Sequence, residues 1–496
     1  MVVQLLFAGA FGACAGSLIN VLAYRMPLGI SVVHPPSRCP WCHTRLTWRE
    51  NIPIFGWVLL GGRCRFCKSR ISAEYPVVEV VVAGLFVMFF FLYYCIPFGW
   101  IWPTPSKAEF MGVDWLLVKP EWARAGFGAT WPLFVMLMVM VGSLVAMTIC
   151  DAKTFMIPLQ LPWAAAVVGV ATHLGLGVYA EWNGATGRAG YGGKLFPTAP
   201  EWSWAISSPG PRGWWQAGAA LGGVVGVLAA NLMLWKGMIR RSFADYNEWE
   251  ASVRPAVFEE RPAPNPETSP AAAFAAKVTV VPAVVEGGTA AEATGSGGEN
   301  AAVGVGGGVG GGESPADLWL MYPHARREMV KELVYLSPVV TLALVGGWLA
   351  VRMAGPWAAG ATPLALGTPA VGVPVWLDAL TGSLLGMLVG GGVVWLIRIL
   401  GSVAFGKEAM GLGDVHLMAG VGACVGWVDS VLAFFLSAFV GLGWTVAASA
   451  LKGKSARSLP LGPSLALATV LVLLMKPVLE WWLGRLAPAW APINLP

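Results

Sequence analysis

Charge is what this sequence has least of. Only 12% of its 496 residues are Asp, Glu, Lys or Arg, where a soluble domain carries roughly 25%. That scarcity excludes an ordinary soluble globular protein. The net charge of +5 is small as well, and the basic residues sit in short loops between apolar runs, so nothing points to a nucleic-acid partner. No glycine-rich turn following a strand is visible, which leaves no readable nucleotide or S-adenosylmethionine pocket. The first apolar run, residues 2–24, lacks a basic region before it and a small-residue cleavage site after it. It is expected to stay as a helix and not to be removed as a signal peptide.

Apolar surface is abundant. Hydrophobic residues make up 56% of the chain, and the mean hydropathy is +0.65. Runs at about 2–24, 76–96, 131–150, 161–180, 214–235, 332–352, 376–400, 415–428, 430–451 and 460–483 predict an all-α polytopic membrane protein of about ten transmembrane helices. Twenty-six tryptophans suit the two membrane interfaces. Residues 415–428 are short for a crossing. They are counted as one because the basic loop Lys452–Arg457 then falls on the same side as the other basic loops. Residues 25–75 hold eight Arg or Lys against Glu50 and Glu74, which places that segment in the cytoplasm and the amino terminus outside.

The chain therefore divides into a first transmembrane helix at 1–24 and a cytoplasmic four-cysteine domain at 25–75. Helices two to five follow at 76–249, a linker at 250–330, and helices six to ten at 331–496. Residues 250–317 are rich in Pro, Ala, Glu and Gly and end in the glycine-rich run Gly304–Gly312. Such a composition buries too little apolar surface to fold, so a disordered cytoplasmic linker is expected.

Two carboxylates stand at the inner membrane boundary. Asp414 closes the stretch Gly411-Leu412-Gly413-Asp414, and Asp151 follows the apolar run 131–150. Paired carboxyls suit peptide hydrolysis, because one ionised and one neutral group supply a base for water and an acid for the leaving amine. Gly411 and Gly413 carry no side chain, which would let an extended substrate backbone lie alongside. The competing reading is of two loop aspartates that only cap helices. Asp378 and Asp429 fall at the outer face, away from Asp151. Glu79, inside the second span, is a further candidate, either meeting a cation or lying at the interface near the helix start.

Four of the eight cysteines form the pairs Cys39/Cys42 and Cys64/Cys67, separated by 21 residues. Two Cys-x-x-Cys turns at this spacing fit a structural zinc site with four thiolates and no open position for catalysis. Two disulfides are the alternative, disfavoured in a reducing compartment. Cys14, Cys95, Cys150 and Cys424 stand singly in or beside apolar runs and read as small buried residues.

Several stretches together resemble the bacterial type IV prepilin peptidases, the bifunctional leader peptidase and N-methyltransferase family of intramembrane Gly-x-Gly-Asp proteases. They are Gly16–Val21 with Tyr24 and Arg25, the first Cys-x-x-Cys pair, Asn51-Ile52-Pro53, Gly62–Cys67, Ile71-Ser72, Tyr75-Pro76 with Glu79, Lys407–Asp414 and Gly420–Trp427. The resemblance implies that Asp151 and Asp414 are the catalytic pair. The substrates would be prepilins or pseudopilins, cut after a glycine on the cytoplasmic side of the bacterial inner membrane. The new amine would then be methylated from S-adenosylmethionine. The chain departs from that pattern in three places. Leu159 and Gln160 stand where the family usually has an Asp, His416 replaces a usual Lys, and residues 214–375 form an insertion. Two other readings stay open: a peptidase without methyltransferase activity, and a proton- or ion-coupled transporter with midplane carboxylates.

Overall fold

The computed structural model describes residues 2–95 apart from Pro35 and Pro40, then 109–110, 113–114, 120, 122–123, 126–154, 156–182, 211–243, 325–354, 373–406, 409–452 and 461–475, with single positions at 478, 479, 482 and 485. The expected linker at 250–330 lies outside them up to residue 324. The helices belong to one compact unit made of residues 1–242 and 324–496.

Eleven α-helices follow one another among the described residues: α1 Val2–Arg25, α2 Phe55–Leu59, α3 Glu74–Phe90, α4 Phe127–Thr154, α5 Gln160–Trp182, α6 Pro211–Trp235, α7 Ala325–Ala354, α8 Val375–Phe405, α9 Leu412–Val425, α10 Trp427–Lys452 and α11 Leu461–Leu474. A short π-helical turn, Phe91–Cys95, extends α3. The one described sheet is a two-residue ribbon in which β1 (Glu109–Phe110) pairs antiparallel with β2 (Val113–Asp114). Among the described residues, eight helices are long and apolar enough to cross a membrane. The other two of the ten expected are α9 and α11, apolar but only 14 residues each. Side chains such as Leu6, Phe7, Val225, Leu344 and Phe439 are exposed on the long helices, as lipid-facing positions are in a bilayer protein.

Punctuation along the chain is local chemistry. Helix α8 stops where Gly406 takes a left-handed conformation, and Gly426, also at positive φ, separates α9 from α10. The basic residues Arg326 and Arg327 begin a helix that continues into an apolar span as α7.

Helix α9 lies at the centre. It packs on α4, α5, α8, α10 and α11, and most of its side chains are buried. The contact with α8 is between backbones: a Cβ placed on Gly386 would stand 2.0 Å from the Gly422 carbonyl oxygen, and one on Gly390 would stand 2.5 Å from that of Met418. On the other side, Gly420 meets the Pro162 carbonyl and Gly169 meets that of Ala423. Small residues at four-residue spacing permit such approach between membrane helices, where apolar side chains gain nothing by leaving lipid. Helices α6 and α7 form a second tight pair in the same manner, with Gly218, Gly222 and Gly226 against the backbone at Gly346, Leu342 and Pro338.

The Gly386 contact can be tested directly. Gly386→Leu should lower the thermal midpoint of the detergent-solubilised protein, with a loss of at least about 1–3 kcal/mol from overpacking. Gly392→Leu, where an added Cβ meets nothing within 4 Å, should leave it unchanged.

Candidate active site and metal centre

Asp151 occupies the last turn of α4, and Asp414 is the third residue of α9. Each is buried, with 8% of its surface exposed. The two are near enough to feel each other's charge: the charges bearing on the Asp414 carboxyl include Asp151 and also Arg398 from α8. Asp151 Oδ2 accepts a hydrogen bond of 3.0 Å from the backbone N–H of Gly462, at the start of α11. A Cβ on Gly462 would lie 2.6 Å from that oxygen, so a side chain there would displace it. Both carboxyls thus sit at helix N-termini, Asp414 at its own and Asp151 at that of α11. There the first-turn N–H groups and the helix dipole favour a negative group.

The two glycines play different parts. Gly411 is the N-cap of α9 in extended conformation, its carbonyl accepts the N–H of Asp414, and an added Cβ would come no nearer than 3.8 Å to Asp414 Oδ2. The space beside Gly413 is taken by Ile157 from the α4–α5 connection, 3.0 Å from where a Cβ would be. Of the two glycines, Gly411 is the one at which an added Cβ would meet no close neighbour.

The far end of α9 is closed by side chains that the sequence reading passed over. His173 Nε2 meets the Cys424 carbonyl at 3.0 Å, and Ser383 Oγ donates to the Ala423 carbonyl at 2.6 Å. These are carbonyls a helix leaves unpaired when it stops. Gly462 offered no signal beyond standing at the head of an apolar run. Arg398 did offer one, as a charge inside a predicted span.

The four cysteines converge. Their sulfurs all lie within 4.8 Å of one another, with Cys39–Cys67 at 3.8 Å and Cys42–Cys64 at 4.0 Å. A disulfide needs about 2.05 Å, whereas thiolates around zinc at about 2.3 Å sit about 3.8 Å apart along a tetrahedral edge. The arrangement fits a metal such as zinc. Each pair is folded in the same way: the N–H of Cys39 donates to the Thr44 carbonyl and that of Cys64 to the Ser69 carbonyl. Isolated bridges join Arg38 to Arg45 and Arg63 to Arg70. The residue after each second cysteine, His43 or Lys68, is left-handed. A hydrogen bond from Ser69, 3.1 Å from the Cys67 sulfur, holds that thiol down to about 6, towards the thiolate that a metal binds.

Glu79, buried on α3, is engaged by backbone. Its Oε2 accepts the N–H of Ile54 at 2.6 Å, which ties the cysteine segment to the membrane helix. Lys153, two residues past Asp151, pairs with Glu74 at the head of α3. The paired aspartates and the cysteine segment therefore lie at the same end of the helices.

Comparison with known proteins finds two family matches along the chain. Residues 10–93 match the bacterial peptidase A24 N-terminal domain, and residues 337–446 match the type IV leader peptidase family. Asp414 falls inside these stretches and Asp151 between them. A prepilin leader peptidase/N-methyltransferase of Myxococcus xanthus is 31% identical over 184 residues, which is 37% of this chain and 44% of the relative. Proteins of the same description match from Klebsiella pneumoniae (41% over 83 residues, 16% of this chain and 36% of the relative) and from Pectobacterium carotovorum (27% over 206 residues, 37% and 61%). The chain thus spans between about a third and three fifths of the length of these relatives. No solved structure matches it.

Metal content gives the check on the cysteine cluster. The purified protein should carry one tightly held metal ion per chain by elemental analysis. Cys39→Ser should lower that content and increase proteolysis within residues 25–75; unchanged metal in the variant would rule the four-sulfur site out.

Proposed function

We propose that this chain, which carries both the amino-terminal and the peptidase domains of the type IV leader peptidase family, is an intramembrane aspartic endopeptidase that removes the leader of prepilins or pseudopilins. The observation that carries this reading is the meeting of Asp151 and Asp414, drawn from chain positions far apart, at one end of the helices. Two carboxyls that close titrate as a pair, so one is available as base and the other as acid. The base takes a proton from water as it attacks the peptide carbonyl. The acid delivers a proton to the departing nitrogen. The room at Gly411 lies beside Asp414 and suits the backbone of an extended substrate segment. The Gly462 N–H holds one Asp151 oxygen and leaves the other for the reaction.

The reaction takes place on the cytoplasmic side of the bacterial inner membrane. The support is that the aspartates share an end with the strongly basic segment 25–75, and basic loops stay in the cytoplasm. Zinc is the metal read into the four-cysteine cluster, where it would cross-link a segment too small to hold a core of its own. Cleavage leaves a free amine on the mature pilin, and the second activity is methylation of that amine with S-adenosylmethionine as donor. It is supported by the names of the relatives, and no step of it is assigned to a residue.

Co-expression with a prepilin tests the peptidase. Asp151→Asn and Asp414→Asn each keep the side-chain size and remove the ionisable proton, so either alone should leave the precursor uncut, a loss of at least about 10³-fold. Normal cleavage by either variant would end the reading. Mass spectrometry of the processed pilin tests the second activity: the new terminus should gain one methyl group, and an unmethylated terminus with S-adenosylmethionine supplied would mark a peptidase alone.

A further inference from the structure

The segment read from the sequence as an insertion, 214–375, is cut back by the family match that begins at residue 337: α6 and the first turns of α7 lie outside it. The most buried polar group of this helix pair gives those turns a role. Glu332, in the second turn of α7, is 3% exposed and satisfied on both oxygens. Oε1 accepts from Arg398 Nη2 at 2.9 Å, from Arg398 Nε at 3.2 Å and from Ser242 Oγ at 3.0 Å. Oε2 accepts from Trp395 Nε1 at 2.8 Å and again from Arg398 Nε at 3.3 Å. The Tyr335 ring stacks on Trp395 beside this cluster.

Arg398, 1% exposed on α8, is the other half of the device. Its Nη1 donates to the carbonyl of Met410, the residue immediately before Gly411. One guanidinium therefore spans from α7 to the Gly411–Asp414 turn, and its charge also bears on Asp414. A second bond from α8 holds the same turn: Ser402 Oγ accepts the N–H of Ala409 at 3.1 Å. A guanidinium offers donors in a rigid planar fork, so fixing one edge fixes the direction of the other. A buried cation also needs a counter-charge, and Glu332 supplies it from outside both stretches matched by the family.

We infer that Glu332 is a positioning residue for peptide cleavage: by orienting and neutralising Arg398 it sets the Met410 carbonyl, and with it the turn that presents Asp414. This rests on the peptidase reading above. It makes the first turns of α7, which lie outside both matched stretches, a working part of the enzyme, whereas a merely structural helix would affect only how much enzyme folds.

The test uses the full-length enzyme in detergent or proteoliposomes with a prepilin substrate, measuring kcat and KM separately beside the thermal midpoint. Glu332→Gln should lower kcat by between about 10- and 100-fold, the scale of a slight misplacement of reacting groups, with KM within about twofold. Arg398→Gln should do the same, and the double variant should be no worse than Arg398→Gln alone, because Glu332 acts through that arginine. Parent-like kcat in a folded Glu332→Gln enzyme, or losses that simply multiply in the double variant, would overturn the inference. Removing one partner of a buried ion pair can prevent folding. The double variant, which strands no charge, then decides: full kcat overturns the inference and reduced kcat supports it. Trp395→Phe leaves both charges in place and should lower kcat by roughly fivefold, from one lost hydrogen bond to a charged group; parent-like kcat there counts against the inference. Asp414→Asn is run in parallel. If it still cleaves, the peptidase reading fails; if it is inactive while the Glu332 variants are normal, only the positioning role fails.

Discussion

A helix too short for the bilayer lies at the centre of this protein, and its ends set the terms for everything around it. Fourteen residues rise about 21 Å, against about 30 Å of hydrocarbon, so the terminal backbone groups of α9 cannot reach water at both faces. Lipid offers them nothing, and protein has to satisfy them. At one end the Gly411 turn and Asp414 do so; at the other His173 and Ser383 reach across from α5 and α8. These partners reach their targets only because Gly386, Gly390, Gly420 and Gly169 let neighbouring backbones touch. The same close packing that shelters the helix fixes where its first carboxylate points.

The parts of the site legible in the sequence were those with a local signature. Two Cys-x-x-Cys turns announce themselves by spacing, and the sulfurs do converge. Asp151 and Asp414 are conspicuous because a carboxylate at the edge of an apolar run is costly enough to need a reason. The glycines around Asp414 were readable as a place of close approach, yet Gly413 turns out to be filled by Ile157, a contact no local pattern encodes. Gly462, His173, Ser383 and the Glu332–Arg398 pair went unseen for the same reason. Each joins positions far apart in the chain, through side-chain contacts that leave no periodicity behind. Helices α9 and α11 were found by their apolar composition, while their shortness marks them off from the eight longer helices.

The cysteine segment is attached to the membrane helices through a strained residue. Ile54 has a φ of 63°, a region that β-branched residues avoid at a cost of about 1–3 kcal/mol. Its N–H points at Glu79, and Gly16 lies so close to the Glu79 backbone that an added Cβ would stand 2.7 Å from its Cα. A helix pair, α1 with α3, thereby holds a buried carboxylate in place, and that carboxylate holds the loop. The linkage accounts for Glu79 without asking it to meet a substrate.

The partner of Asp151 also has a bearing on when the protein becomes whole. Gly462 follows Asp151 by 311 residues, and at roughly 5–20 residues per second the ribosome needs on the order of 15–60 s to get from one to the other. Throughout that interval the nascent chain holds Asp151 in the membrane without the amide that will anchor it. On the reading proposed above, the site is complete only once α11 has docked.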